Sequence, residues 1–312
     1  MQTTVSSWSL ASCRTAVGTH VVGALTADGT LRSVAPLAGF ADLADVVQRW
    51  PEASGLLEGW NPNHADVLSD VWLDTPLRTP GKLLMAGANY RGHLREMGID
   101  PVPEGVDPYF FLLPPTALTG PDCPIPIPVD QSAGVDWEAE LVAVIGRSGR
   151  HVPVADALDL IAGYMIINDV SARGWHARSA PLAPPFTYDW ISSKGRDGFC
   201  PIGPGLTPAW LVPDPQDLRV RLWRNGELEQ DASTTDMIAT VAELVSAASQ
   251  LMTLRPGDLL ATGTPAGVGA PRGLSLSPGD DIAIEIELLG RLENSVCADT
   301  DMQALDNLPV RR

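Results

Sequence analysis

The sequence lacks the long apolar segments and leader features that would place the protein in a membrane or on the secretory pathway. Its longest apolar runs, near residues 141–146 and 161–167, fall far short of the roughly 20 residues that a membrane helix needs. The first residues contain neither the basic nor the apolar segment of a secretory signal. We therefore expect a globular protein of the cytoplasm without a membrane partner.

Basic charge is scarce as well. The net charge is −17 and no basic run is present, whereas phosphate binding needs a concentrated basic surface, so nucleic acid is not an expected partner. Only two lysines, Lys82 and Lys194, accompany nineteen arginines. Because a buried ammonium can shift its pKa readily, Lys194 is a candidate for a specific role, although composition bias alone is an equally simple explanation.

Signatures of several common cofactor and disulfide sites are also missing. The four cysteines are widely scattered, without a CxxC pair or the spacing of a small disulfide-bonded domain, so we expect reduced thiols. No strand-like segment leads into a GxGxxG loop that could cradle a phosphate. Nucleotide binding is therefore disfavoured.

Short strand-like segments separated by glycine and proline dominate the chain after residue 82. Helical spacing of apolar residues predicts one clear helix over Asp236–Met252, with Asp236 as its N-cap. The sequence therefore predicts an α+β fold that is dominated by β-structure. The predicted strands cover residues 83–86, 109–113, 135–145, 161–167, 218–223 and 282–289.

The first 75 residues have the pattern of a small separate domain. A hairpin is indicated around residues 28–29, and helices are predicted over 41–50 and over 63–71, the latter capped by Asn63. The predicted organisation is a small domain over residues 1–75, a proline-rich linker over 76–81, a main domain over 82–300 and a C-terminal tail over 301–312.

Two glutamates one residue apart form the most informative motif. In a strand, residues i and i+2 point to the same face, so Glu138 and Glu140 should project together, and Asp169 follows some thirty residues later in a turn-like segment. Carboxylates this close repel each other unless a proton or a cation lies between them. An all-oxygen site prefers Mg²⁺ or Mn²⁺ to Zn²⁺. The alternative is a solvated acidic strand.

Further polar side chains lie on both sides of this motif. His93 and Glu96 would share a face of a helical turn, and a carboxylate beside an imidazole makes a water-activating base; a surface pair is the alternative. Arg173 and Lys194 could neutralise a substrate carboxylate, although Arg173 could equally be an ion-pair partner of Asp169.

Residues 82–297 resemble the fumarylacetoacetate hydrolase family through many ordered motifs. The matching segments are Ala88-Asn89-Tyr90 with His93 and Glu96, Tyr109-Phe110-Phe111-Leu112, Asp136-Trp137-Glu138-Ala139-Glu140-Leu141, Gly163-Tyr164, Asn168-Asp169-Val170-Ser171-Ala172-Arg173, Asp189-Trp190, Ser193-Lys194, Pro201-Ile202-Gly203-Pro204, Asn225-Gly226-Glu227, Pro256-Gly257-Asp258 and Thr262-Gly263-Thr264-Pro265 with Ala266-Gly267-Val268-Gly269. The first 75 residues resemble only the variable small domain that many members have.

The resemblance implies a β-rich roll or sandwich, usually a homodimer, that binds one Mg²⁺ or Mn²⁺. It also implies a water-activating dyad on a mobile lid over residues 90–100. By this resemblance the metal ligands are Glu138, Glu140 and Asp169, the catalytic residues are His93, Glu96 and Lys194, and the residues around the substrate are Tyr90, Arg173, His176 and Thr264.

The reaction that the resemblance favours is hydrolysis of a C–C bond in a 2,4-dioxo acid of the acylpyruvate type, through a metal-bound enolate. Decarboxylation, tautomerisation, isomerisation or hydration of a 2-oxo acid is the alternative, because these reactions share the enolate. A non-catalytic homologue that serves as a binding or structural subunit is the third hypothesis.

Three departures from the family pattern bear on the substrate. Members usually have lysine where this chain has Leu113, and aspartate and glutamine where it has Gly174 and His176. The segment 177–189 is a longer loop that could wall the pocket. Because Leu113 would make one side of the pocket less cationic, we predict an uncharged group at the substrate end distal to the pyruvoyl group. His176 is interpreted as a substrate contact, with a plain loop histidine as the alternative.

Overall fold

Short strands make up most of the protein, and the computed structural model describes them over residues 7–103 and 105–301. The β-rich α+β fold predicted from the sequence is confirmed. The strands are β1 Trp8–Thr15, β2 His20–Thr26, β3 Leu31–Ser33, β4 Val71–Leu73, β5 Leu83–Gly87, β6 Tyr109–Leu113, β7 Leu118–Thr119, β8 Ile125–Ile127, β9 Val135–Asp136, β10 Ala139–Ile145, β11 Ile161–Asn168, β12 Ser171–Ala172, β13 Cys200–Pro208, β14 Arg219–Arg224, β15 Glu227–Ser233, β16 Leu259–Ala261, β17 Asp281–Ile286 and β18 Gly290–Ala298. The α-helices are α1 Leu43–Gln48, α2 Trp50–Leu56, α3 Arg91–Glu96, α4 Trp190–Lys194 and α5 Val241–Leu251.

The main sheet places β10 at its centre. Its strand order is β3-β2-β1-β13-β11-β10-β16-β5-β6, with β4 added to β1 and β7 to β13, while a second sheet runs β15-β14-β17-β18-β8. Leu141 and Ala143 of β10 join the apolar cluster shared with the second sheet and α5. Val142 and Val144 join the cluster on the opposite face. Burial on both faces explains why β10 is continuously apolar after Glu140.

The N-terminal strands extend the main sheet instead of forming their own. Leu10 of β1 pairs with Leu206 of β13, and Trp50 stacks on Trp210 with ring centroids 5.6 Å apart. Leu77, inside the predicted linker, is buried. The described N-terminal residues therefore share a sheet and a core with the later strands, and the domain boundary at residues 76–81 stays a prediction.

The helix predicted over residues 63–71 is wrong. Pro62–His64 form a single 3-10 turn that is capped by Asn61, and Val71–Leu73 form β4. This strand pairs antiparallel with the end of β1, where Cys13 is opposite Leu73. Backbone hydrogen bonding to β1 thus outweighs the helical spacing of the segment.

The helix predicted from Asp236 begins later. Thr240 caps α5 in a reciprocal capping box with Glu243. Asp236 instead ends a 3-10 turn and accepts a hydrogen bond from Gly92 N at 2.7 Å. Its carboxylate therefore fixes the start of α3 and does not cap α5.

The state of the cysteines and the character of the helices bear on the cellular compartment expected from the sequence. All four cysteines are free, in agreement with the expected reduced thiols. Among the described residues, no helix has the length and apolar character needed to cross a bilayer. The cytoplasmic location itself stays a prediction.

Candidate active site

Three carboxylates meet where the neighbouring strands β10 and β11 come together. The strand predicted over residues 135–145 is interrupted between β9 and β10, and Glu138 lies in this gap. Glu138 N donates to Asn168 Oδ1 at 2.9 Å, and Asp169 N donates to Glu138 O at 2.9 Å. These bonds hold Asp169 beside the two glutamates, so that one oxygen of Glu138, Glu140 and Asp169 each lies within 4.8 Å of the others.

Burial and mutual repulsion raise the pKa of two of the three carboxyl groups. Burial, followed by the charges of Asp169 and Glu138, raises the pKa of Glu140 well above its usual value. Burial also raises the pKa of Asp169 to about 6. Burial opposes ionisation of Glu138 too, but Lys194 and then Arg173 outweigh it and lower its pKa to about 2.

The donor set fits a hard divalent cation. All three carboxylate residues are at most 5% exposed, which excludes the solvated acidic strand. The buried Oδ1 of Asp169 has no hydrogen-bond partner among the described residues, and Glu140 Oε2 accepts from Gly263 N at 2.8 Å. An unpartnered oxygen beside two more buried carboxylates suits Mg²⁺ or Mn²⁺, which prefer oxygen ligands.

Two basic side chains contact the carboxylates directly. Lys194, at the end of α4 and 4% exposed, donates to Glu138 Oε2 at 2.8 Å and to Asp169 Oδ2 at 2.5 Å. Arg173 donates through Nε to Asp136 Oδ2 at 3.2 Å and through Nη2 to Glu138. The interpretation of Arg173 as an ion-pair partner of Asp169 is therefore wrong, because the guanidinium pairs with Asp136 and Glu138.

His93 and Glu96 lie on one face of α3, as their spacing predicts. His93 Nδ1 and Glu96 Oε1 are 2.6 Å apart, and Glu96 Oε2 accepts from Gly267 N at 2.9 Å. Because an ionised carboxylate only accepts hydrogen bonds, the neutral imidazole has its proton on Nδ1 and its lone pair on Nε2. His93 is 7% exposed and lines the same cavity as the three carboxylates, so this is not a surface pair. The Glu96–Gly267 bond ties α3 to the segment after β16, and the mobile lid over residues 90–100 stays a prediction.

Thr264 lines the cavity and also braces the strand of the two glutamates. Its hydroxyl donates to Ala139 O at 3.0 Å and accepts from Gln230 Nε2 at 2.9 Å. Gln230, buried in β15 of the second sheet, accepts from Ala139 N at 3.0 Å. Hydrogen bonds therefore hold both peptide groups of Ala139, the residue between the two glutamates. Sequence reasoning missed Gln230, because no local pattern connects it with a segment about ninety residues earlier.

Tyr90 lies in the core beside the site. Its side chain is fully buried, its residue forms a β-bridge with Met237, and it is absent from the cavity lining. Its hydroxyl has no hydrogen-bond partner among the described residues, and its role as a substrate contact stays a prediction.

An aromatic wall, which we define as Phe111, His176 and Trp190, forms one side of the cavity of about 230 Å³. Phe111 and Trp190 stack with centroids 4.4 Å apart at 22°. The ring of His176 meets Trp190 edge-on at 4.3 Å and 74°. The sequence placed His176 near the substrate but did not single out the other two, although both belong to motifs shared with the family.

Leu113 does not line the cavity. It is 4% exposed and belongs to the apolar cluster on the far face of the main sheet. The expectation that Leu113 itself sets the polarity of the pocket is therefore wrong, because its side chain packs into the core. Phe111, two residues earlier on β6, is the residue of this strand that lines the cavity.

Comparison with protein families places the whole site inside one matched segment. A family model described as Fumarylacetoacetate (FAA) hydrolase C-terminal matches residues 82–297. Oxaloacetate tautomerase fahd2, mitochondrial, from Xenopus laevis is 38% identical over 230 residues, which are 73% of this chain and 69% of that protein.

Solved structures resemble nearly the whole chain. The fumarylacetoacetate hydrolase of psychrophilic Exiguobacterium antarcticum is 32% identical and covers 94% of this chain and 100% of its own, with a TM-score of 0.77. The maleylpyruvate hydrolase of Sphingobium sp. SYK-6, in complex with manganese(II) ion and pyruvate, is 31% identical and covers 93% of this chain and 99% of its own, with a TM-score of 0.74.

Proposed function

Because the chain belongs to the fumarylacetoacetate hydrolase family, we propose that it is an enzyme that hydrolyses a C–C bond in a 2,4-dioxo acid of the acylpyruvate type, with Mg²⁺ or Mn²⁺ as its cofactor. The family relationship supports a 2-oxo acid substrate. The observation that carries the hydrolytic branch is the His93–Glu96 pair, whose imidazole lines the cavity of the three carboxylates.

The carboxylates and basic side chains that line the cavity would bind the pyruvoyl group. Glu138, Glu140 and Asp169 would hold the cation, which when bound supplies a Lewis acid for the carboxylate and keto oxygens of the substrate. Lys194 would add positive charge beside those oxygens, and Lys194 together with Arg173 lowers the pKa of Glu138, which favours its ionised form.

The His93–Glu96 pair would activate water. His93 Nε2 accepts a proton from a water molecule while Glu96 holds the ring and stabilises the imidazolium. The water oxygen adds to the acyl carbon, and the bond from this carbon to the methylene group breaks. The released electron pair takes up a proton on the methylene carbon, so the products are pyruvate and a carboxylic acid.

The second candidate function is tautomerisation or decarboxylation of a 2-oxo acid such as oxaloacetate. The Xenopus laevis relative, which is named an oxaloacetate tautomerase and is 38% identical, favours it. Decarboxylation needs neither an attacking water nor a base, so it leaves the His93–Glu96 pair without a role, whereas tautomerisation would use the pair only to move a proton on a substrate carbon.

Glu96→Ala separates the two candidates. We expect hydrolysis of acetylpyruvate to fall by about 100-fold or more, the range for loss of general-base catalysis, because His93 loses its orienting acceptor. Diketone absorbance and pyruvate release measure the rate. Glu52→Ala is the matched control, because Glu52 also forms an i,i+3 pair, with Arg49 on the surface, and should have no effect.

The same assay should include oxaloacetate and fumarylpyruvate beside acetylpyruvate. If the protein prefers oxaloacetate and Glu96→Ala turns it over unimpaired, the hydrolase proposal is wrong and the decarboxylase candidate replaces it.

A homodimer, which the resemblance implies, remains a prediction. Exposed apolar side chains cluster in the segments that border the cavity, a pattern typical of interaction surfaces. We expect a two-chain species in sedimentation velocity at micromolar concentration; a monomer there would contradict the prediction. The exposed side chains are Tyr109, Leu112, Leu182, Phe186, Tyr188 and Ile191.

A further inference from the structure

The active-site cavity has a charged and an apolar part to its lining. The charged part has the three carboxylates with Lys194 and Arg173, and the apolar part has the aromatic wall together with Met97, Val268 and Pro271. The two parts adjoin, since Lys194 Nζ lies 5.9 Å from the centroid of the Phe111 ring. A 2,4-dioxo acid whose pyruvoyl group occupies the charged part would therefore have apolar and aromatic side chains beside its distal group.

Among the described residues that line the cavity, a second substrate carboxylate would find no unpaired cation. The basic residues that line the cavity are His93, Arg173, His176 and Lys194. Arg173 is already paired with two carboxylates, and so is Lys194. His93 is held by Glu96. Only His176 remains, and it belongs to the aromatic wall.

His176 is a poor partner for an anion. Burial, followed by the charges of Lys194 and Arg173, lowers the pKa of its imidazole, which favours the neutral form at neutral pH. Its ring is packed between Trp190, at 4.3 Å, and Tyr188, at 5.1 Å. It therefore contributes a flat, uncharged surface to the wall.

The loop over residues 177–189 fixes the geometry of the wall. Its two stems are joined by hydrogen bonds from Arg178 N to Thr187 O and from Asp189 N to His176 O, both 2.8 Å long. Asp189 also caps α4 by accepting from Ser192 N at 2.9 Å. His176 and Trp190 thus flank the two stems of one closed loop, so both rings are positioned before a ligand binds.

From this arrangement we propose that the aromatic wall is a binding site for a planar, uncharged distal group, and that Trp190 determines specificity for 2,4-dioxo acids with an aromatic ring over those with a second carboxylate. The proposal rests on the proposed function for the identity of the pyruvoyl end. It places the substrate in a different chemical class from maleylpyruvate and oxaloacetate, which both have two carboxylates.

The test compares kcat/KM for benzoylpyruvate, acetylpyruvate and fumarylpyruvate. We expect the protein to prefer benzoylpyruvate to fumarylpyruvate by about tenfold or more, as one well-stacked aromatic contact can supply. Trp190→Leu should lower kcat/KM for benzoylpyruvate by about tenfold relative to acetylpyruvate. Phe111→Leu should give the same loss of preference and replaces Trp190→Leu if that variant does not fold.

Trp210→Leu is the matched control. Trp210 also stacks on another aromatic ring, that of Trp50, at 5.6 Å and 20°, but it is absent from the cavity lining. This variant should leave the substrate ratio unchanged. A preference for fumarylpyruvate in the unmodified protein, or an unchanged ratio in both wall variants, would overturn the proposal.

A binding measurement separates this proposal from the proposed function. Calorimetric titration in Mg²⁺ with phenylpyruvate and with 2-oxoglutarate compares a ring with a second carboxylate, without requiring C–C hydrolysis. Phenylpyruvate could bind about tenfold more tightly than 2-oxoglutarate, with Trp190→Leu removing the difference, while no dioxo acid is hydrolysed. This result would support the aromatic wall and contradict the hydrolase function. Equal affinity for the two acids would overturn the proposal that the aromatic wall binds a planar, uncharged group.

Discussion

Glu140→Ala should abolish metal-dependent turnover and leave the metal-free protein at least as stable, whereas Glu138→Ala should lose both activity and stability. Glu140 faces two other carboxylates, and its raised pKa reflects burial and their repulsion, so removing it relieves an unfavourable interaction. Glu138 is the shared partner of Lys194 and Arg173. Its removal takes from each of these cations one of its two carboxylate partners, and breaking a buried pair costs about 3–5 kcal/mol.

Urea denaturation without metal, and metal content after dialysis, check this prediction. Mg²⁺ should raise the melting temperature of the unmodified protein, and further with oxalate, but should have no effect on either variant. Glu285→Ala is the control, since Glu285 pairs with Arg221 at the half-exposed surface. Stoichiometric metal in the double variant Glu138→Ala/Glu140→Ala would refute the assignment, and no Mg²⁺ shift in the unmodified protein would favour a non-catalytic homologue.

Lys194→Met should lower kcat by about 100-fold or more, the usual effect of removing a charged group that stabilises a developing anion. The ammonium touches two of the proposed metal ligands, so its loss also leaves their charge uncompensated. Lys194→Arg should not restore the rate, because the planar guanidinium is larger and cannot replace a compact point charge.

Lys82→Met provides the matched control for Lys194. The chain has only these two lysines, and Lys82 also pairs with a buried aspartate, Asp258, at 2.5 Å. It is absent from the cavity lining. We expect this variant to lose some stability and keep kcat within about twofold. Full activity of Lys194→Arg would contradict a chemical role for Lys194. An equal loss of kcat in Lys194→Met and Lys82→Met would contradict it as well.

The sequence predicted those parts of the site that depend on short-range geometry. Two-residue alternation in a strand is enough to bring Glu138 and Glu140 to one face, and three-residue spacing on a helical turn is enough to pair His93 with Glu96. The same local rules predicted the strands β5, β6, β11 and β17, because their apolar runs are bounded by glycine and proline.

Local rules failed where a distant segment offers better partners. Residues 63–71 have helical spacing, yet β1 takes Val71–Leu73 as a strand. Asp236 looks like a helix cap, yet it binds the backbone of α3. In both segments, a long-range hydrogen bond replaces the local one that the pattern predicts. The sequence of the segment itself gives no sign of this distant partner.

What the sequence by itself determined is the β-rich fold, the carboxylate cluster and the His93–Glu96 pair, since each follows from spacings of a few residues or from ordered motifs. Only the tertiary structure decided which cation pairs with which carboxylate, that Gln230 braces the strand of the glutamates, that Tyr90 and Leu113 lie in the core, and that Trp190 lies against Phe111. These contacts join residues far apart in the chain, and their distances depend on how the sheets and the loop over residues 177–189 pack, which no local pattern encodes.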